Sequence, residues 1–338
     1  MGWDVILILL SDGIANGAIY LLAGLGMVLI FSVTRVVFVP FGDVAVFSAL
    51  SLAAFESGKL PGTIWLVLTL AGVATLCEIG VLLRRREPQR IARAVLHYAV
   101  LPALPCAFAA LVASMQAPQA LQIVAAILLV VPVAPLSARM LMAALVMHFF
   151  LAGLGLMFMG PEGFRTQLLV DGMLNLTPDF SVSLQTVLMV AAALVLSLLF
   201  FLFFERTVSG KALRATAVNR VGARLVGIRP ARSAMLAYVC ASLLAGLIGV
   251  LIAPITTLYY DSGFTLGLKA FVAAIIGGLV SYPLTAVGAL AVGIVESFGS
   301  FWSGALKDVI VFSLLIPVLL LRSYYATHDD EDEEEIDQ

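Results

Sequence analysis

The feature that most constrains this chain is the run "TVLMVAAALVLSLLFFLFF" (186–204), nineteen residues without a charge. Wound as a helix it is about 28 Å long, close to the ~30 Å hydrocarbon thickness of a bilayer. Runs such as "SLLAGLIGVLIAPI" show that the pattern recurs along all 338 residues. With 62% hydrophobic and only 12% charged residues, the composition excludes a soluble domain and a nucleic-acid binder. The chain reads as an all-α, polytopic transmembrane bundle.

Apolar runs set against helix breakers predict helices over 4–33, 41–57, 62–83, 96–114, 119–134, 138–158, 183–204, 231–255, 264–281, 284–302 and 306–321. That gives about 9–11 membrane segments. The runs 41–57, 119–134 and 264–281 are short and flanked by Gly or Pro, as half-helices or re-entrant segments are. The start, "MGWDVILILLSDG", has no basic leader and carries Asp4 and Asp12, so the first run is expected to be retained as a span. Cys77, Cys106 and Cys240 lie within apolar runs, without metal-like spacing, and read as small core hydrophobes.

Charge sets the expected orientation. Five basic residues fall in 84–93 and seven between Arg206 and Arg232, which predicts that both stretches are cytoplasmic. Four helices between them return the chain to the same side. The same count puts the loop from Pro161 to Pro178 outside and Arg322 inside. One transmembrane domain is expected over 1–325, with an acidic, solvated tail over 326–338; eight of the 21 acidic residues lie in its last ten positions.

"LLAGLGMVLIFSVT" (21–34) and "LLAGLIGVLIAPIT" (243–256) match at nine of fourteen positions. Each is followed by a short connection and a short Gly-containing helix. The span count runs the two units in opposite directions, the inverted-repeat plan that places a transport path at the repeat interface.

Between the spans lies "GKALRATAVNRVGARLVGI" (210–228). Leu213, Ala217, Val221 and Leu225 recur every fourth residue, with Ile228 three further on, which predicts one apolar stripe on an amphipathic helix. Gly210 and Gly227 stand where such a helix would start and stop. On the residues alone, this helix either lies on anionic lipid or enters a groove on a cytosolic protein.

The segment resembles the coupling loop of the H-type permease subunits of branched-chain amino acid ABC importers, where Gly, Arg-Ala, Asn, Ala and Gly-Ile recur. "LKAFVAAIIGGLVSYPLTAVGALAVGIVES" (268–297) and "KDVIVFSLLI" (307–316) are similar to later parts of the same family. Together with 12–57 and 138–205, the likeness covers roughly three quarters of the chain. It implies a bacterial inner-membrane, multi-pass permease with the 205–232 loop and the tail cytoplasmic. The implied partners are a second permease subunit, two cytosolic ATPases, a periplasmic binding protein and membrane lipid. The implied substrate is a branched-chain or related hydrophobic amino acid, and ATP would be bound by the partners, leaving this chain without a cofactor. Gly210, Leu213, Arg214, Ala217, Asn219, Val221, Ala223 and Gly227 would form the coupling loop. Two departures stand out: Phe38 and Phe41 in "RVVFVPFGDV", where the family carries Asn and His, and residues 84–117, which read as an insertion.

Ionisable residues within spans are expensive and therefore informative; here they are Asp43, Glu78, Lys269 and Glu296. Lys269 and Glu296 fall on neighbouring helices and could pair, as a structural ion pair that fixes helix packing rather than as a direct substrate contact. Asp43 with Gly42, at the start of a short helix, would offer a carboxylate beside free backbone N–H groups. Phe41, Gly42, Asp43, Lys269 and Glu296 are thus the expected translocation-path residues. Gly13, Gly17 and Gly24 share a helix face that invites close packing. His97 and His148 have no carboxylate or cysteine at ligand spacing, so neither a metal site nor catalysis is expected. "SGKA" lacks the Gly and Ser/Thr of a phosphate-binding loop, and the chain is not expected to be an enzyme. The alternative the residues leave open is a stand-alone, proton-coupled carrier of small amphipathic solutes, using Asp43 or Glu296.

Overall fold

A computed structural model describes residues 3–84, 86, 88–139, 144–177, 180–279 and 281–320; the expected acidic tail and Arg322 lie outside them. The helices are α1 (Trp3–Thr34), α2 (Phe41–Glu56), α3 (Thr63–Arg84), α4 (Ile91–Val95), α5 (Leu101–Ser114), α6 (Gln119–Val130), α7 (Val133–Arg139) and α8 (Ala144–Met159). A hairpin of β1 (Met173–Thr177) and β2 (Phe180–Ser183) follows. Then come α9 (Leu184–Arg206), α10 (Val208–Val218), α11 (Arg220–Leu225), α12 (Pro230–Ile252), α13 (Ser262–Ile276), α14 (Tyr282–Trp302) and α15 (Lys307–Ser313).

Among the described residues, seven helical segments are long and apolar enough to cross a membrane: α1, α3, Ile91–Ser114, Gln119–Ala138, α9, α12 and α14. The expected short run 119–134 is therefore part of a full-length segment, broken at Val131 and Pro132 because proline has no N–H for the helical ladder. The stretch 84–117, too, contains a span-length segment. It passes through one π-helical turn (Leu96–Val100) ahead of Pro102 and Pro105, which cannot donate to the carbonyls one turn back. The last helix, expected unbroken to 321, turns at Leu314, since Pro317 cannot donate to Ser313. The connection between α8 and α9, expected to be a loop, carries the two short strands of the hairpin β1–β2 in an otherwise helical fold.

Small residues set the packing. A methyl group added at Gly13 would lie 2.8 Å from the Ile294 Cα, and one at Gly293 would lie 2.6 Å from the Gly17 Cα. Only glycine lets α1 and α14 approach this closely along their shared length. Of the cysteines, Cys106 is buried as expected; Cys240 is half-buried and Cys77 is exposed on the flank of α3.

The two ends of α1, about 48 Å apart at 1.5 Å per residue, mark the two ends of the bundle. Ser11 and Ile14 border a cleft with Val182 of the hairpin, while the Val33 carbonyl accepts from Arg220, the first residue of α11. Leu29 and Val33, late in α1, cluster with Ala237, early in α12, so the two helices run antiparallel. Glu56, ending α2, accepts from the Gln167 backbone at the hairpin end. Gly277, closing α13, packs on Thr285 at the start of α14, toward the other end. The units α1–α2 and α12–α13 therefore run in opposite senses, as the repeat predicts. Their short helices cross near their first turns, where Gly42 lies against Gly263 and Gly267.

Candidate functional site

Three groups of residues stand out: a knob at one end of the bundle, a polar cavity toward the hairpin end, and a buried Asp–His pair between them and the core.

The knob is α10, Asn219 and α11. The Thr207 hydroxyl caps α10 by accepting from the Gly210 amide at 3.0 Å. Gly210 is thus inside the first turn, and its role is steric: a methyl there would lie 2.7 Å from the Phe204 Cα. Asn219 stops the helix and restarts it. Its backbone is extended, and its side-chain oxygen accepts from the amides of Val221 and Gly222, both at 2.9 Å. Gly227 ends α11 with φ +84°, a conformation glycine adopts at no steric cost, and Ile228 donates back to the Ala223 carbonyl at 2.9 Å.

The expected single stripe is therefore broken. Leu213 turns inward with Leu29, Val33, Phe204 and Ala237, and Ala223 is buried. Val221 and Leu225 face outward with Val218 and Val226. The 3.6-residue period was carried through a position where the Asn219 side chain competes for the backbone. Two arginines brace the knob against α1: Arg35 donates to the Ala217 carbonyl at 3.2 Å, and Arg220 to the Val33 carbonyl at 2.6 Å. Arg214 pairs with Glu205 at 2.5 Å, both half-exposed.

The polar cavity, of about 560 Å³, is lined by α1, the start of α9, the end of α12, the 255–259 connection, α13, α14 and the start of α15. Lys269 and Glu296 are buried and pair at 2.6 Å. Tyr20 donates its hydroxyl to the second oxygen of Glu296, and Asp308 lies 2.8 Å from the Lys269 ammonium. Tyr20 and Asp308 were missed in the sequence; Lys307-Asp308 at the mouth of a short helix was the signal available for the latter.

Phe41, Gly42 and Asp43 do not line this cavity. Phe41 is wholly buried against Gly26, and Gly42 is closed off by Gly263 and Gly267, so the expected accessible N–H groups at the start of α2 are covered. Asp43 is buried and bonds His148 Nδ1 at 2.8 Å. The expected isolation of His148 is corrected: its partner is 105 residues away in sequence, beyond the reach of spacing rules. No group of three or more His, Cys, Asp or Glu suited to a metal occurs among the described residues.

Span-length apolar helices, glycine-mediated packing and a buried charge cluster define a multi-pass helical membrane protein. The chain belongs to the family of permease components of branched-chain amino acid transport systems, whose model matches residues 9–319. It is 34% identical over 163 residues to the high-affinity branched-chain amino acid transport system permease protein LivH of Escherichia coli K12, covering 48% of this chain and 52% of that protein. The LivH of Salmonella typhimurium is 33% identical over the same shares. The permease protein BraD of Pseudomonas aeruginosa is 37% identical over 123 residues, 36% of this chain and 40% of its own length. The chain spans about half the length of the curated relatives it matches. No solved structure matches it.

Proposed function

We propose that this chain is the membrane-spanning permease subunit of an ABC importer that carries branched-chain or related hydrophobic amino acids across a bacterial inner membrane. A periplasmic binding protein delivers the substrate, a second permease completes the path, and two cytosolic ATPases bind and hydrolyse ATP; this chain carries no cofactor of its own. Residues 1–325 act as one permease domain, with the 205–232 segment on the cytoplasmic side.

The observation that carries this reading is the knob. Val218, Val221, Leu225 and Val226 form an exposed apolar patch on a segment whose other face is locked to the end of α1. An apolar patch in an aqueous loop, edged by arginines, fits a groove on a protein partner. The brace to α1 would let movement of that partner reach the bundle as a rigid displacement. Cysteines placed singly from 208 to 226, in vesicles containing the assembled importer, test it. Nucleotide-sensitive crosslinks from Val221 and Leu225 to an ATPase subunit, with none from inward-facing Leu213, are expected. Adducts with lipid-phase reagents alone would refute the coupling role.

A further inference from the structure

The cavity at the hairpin end holds more charge than a helix-packing ion pair needs. Lys269 and Lys307 face Asp12, Glu296 and Asp308, leaving one surplus negative charge. Lys269 stands between two carboxylates, Glu296 at 2.6 Å and Asp308 at 2.8 Å. Glu296 is buried and already bonded by Tyr20, whereas the Asp308 side chain is 41% exposed and sits on α15, outside the repeat. Asp308 is therefore the partner free to exchange. Apolar wall is supplied by Ala15, Ile252, Ile255, Leu258 and Leu266.

We propose that this cavity is a binding site for a zwitterionic α-amino acid with an apolar side chain. The ligand carboxylate displaces Asp308 from Lys269, the released Asp308 takes the ligand ammonium, and the side chain lies on the Ile252–Leu258 wall. Each charge of the ligand then replaces a charge already present, so the buried Lys269–Glu296 pair is never left uncompensated, which would be costly at this depth. Exchange of this kind favours ligands carrying both charges: a lone carboxylate leaves Asp308 without a partner, and a lone amine leaves Lys269 held shut. The inference rests on the permease reading and gives it a substrate-contacting site.

The test uses Ser300→Cys, on the cavity wall, with Cys77, Cys106 and Cys240 replaced, in vesicles of the complete importer. The rate of reaction with a water-soluble thiol reagent is followed in L-leucine, in 4-methylpentanoate, which lacks the ammonium, and in 3-methylbutylamine, which lacks the carboxylate. Leucine slows the reaction and neither analogue does. Asp308→Asn removes both the partner of the ligand ammonium and the competitor for Lys269, so 4-methylpentanoate, inert on the parent, now protects at about the concentration that leucine does. Its unliganded labelling rate matches the parent, which shows that the cavity has kept its shape. Equal protection by the amine, or no protection by leucine in vesicles that still take it up with ATP, overturns the site and leaves the permease reading standing. Absence of ATP-driven leucine uptake from the intact importer overturns that reading instead.

Discussion

Gly42→Ala probes the crossing of the two repeat units at its tightest point. The added methyl would lie 2.6 Å from the Gly267 backbone nitrogen and 2.9 Å from the Gly263 carbonyl carbon, and closer still to the carbonyl oxygen. Ordinary contact begins at 3.4 Å, so the helices must part by about 0.8 Å at the nitrogen and further at the oxygen. No flexible side chain is available to yield, because the colliding atoms are main chain. Overpacking of this kind costs about 1–3 kcal/mol, with backbone on both sides placing this site at the upper end; the helical gain from glycine to alanine returns about 0.5–1 kcal/mol. A net loss of about 2 kcal/mol is expected in equilibrium unfolding of the purified protein in mixed micelles. Gly72→Ala is the matched control, since nothing lies within 4 Å of the added methyl, and it should gain up to about 1 kcal/mol. Asp43 packs against Gly263 at the same crossing, so separation of α2 from α13 also displaces the Asp43 carboxylate. Wild-type stability in Gly42→Ala, alongside the expected gain in Gly72→Ala, would refute the crossing as described.

Glu296→Gln takes one of its two carboxylates from the buried Lys269 and leaves Asp308, so it should cost about 1.5–3 kcal/mol, whereas Glu205→Gln, breaking the half-exposed pair with Arg214, should cost no more than about 1 kcal/mol in the same unfolding assay. Asn219→Ala removes the cap shared by the Val221 and Gly222 amides, weakening α11 by about 1 kcal/mol; trypsin cleavage at Arg220 and Arg224 should quicken, and Asn219→Asp should restore protection. Single cysteines at Asp171 and Val221, both exposed, should react with impermeant reagent from opposite faces of sealed vesicles; reaction from one face would overturn the two-ended topology.

What was legible in the sequence was whatever depends on local pattern or bulk composition. Apolar runs fix where helices lie, because an unpaired backbone cannot stand in hydrocarbon and each run must satisfy its own hydrogen bonds. The repeat was legible because nine matched positions survive at one offset, and the glycines of α1 because spacings of four and seven residues share a face in any helix. The helical character of 210–228 is legible from its own spacing, but one continuous stripe is not, because at Asn219 a single side-chain cap outweighs periodicity.

Tertiary structure alone decided the partners. Asp43 meets His148 across 105 residues and Tyr20 meets Glu296 across 276, separations over which no spacing rule operates. It also divided the expected path residues, burying Phe41, Gly42 and Asp43 at the crossing of the repeats while opening Lys269 and Glu296 onto a cavity. The physical reason is that a helix period says which residues share a face, while the neighbour that covers the face is set by how closely two backbones can approach. Here that approach is fixed by glycines on both helices at once, Gly42 with Gly263 and Gly17 with Gly293, and neither member of a pair carries the information alone.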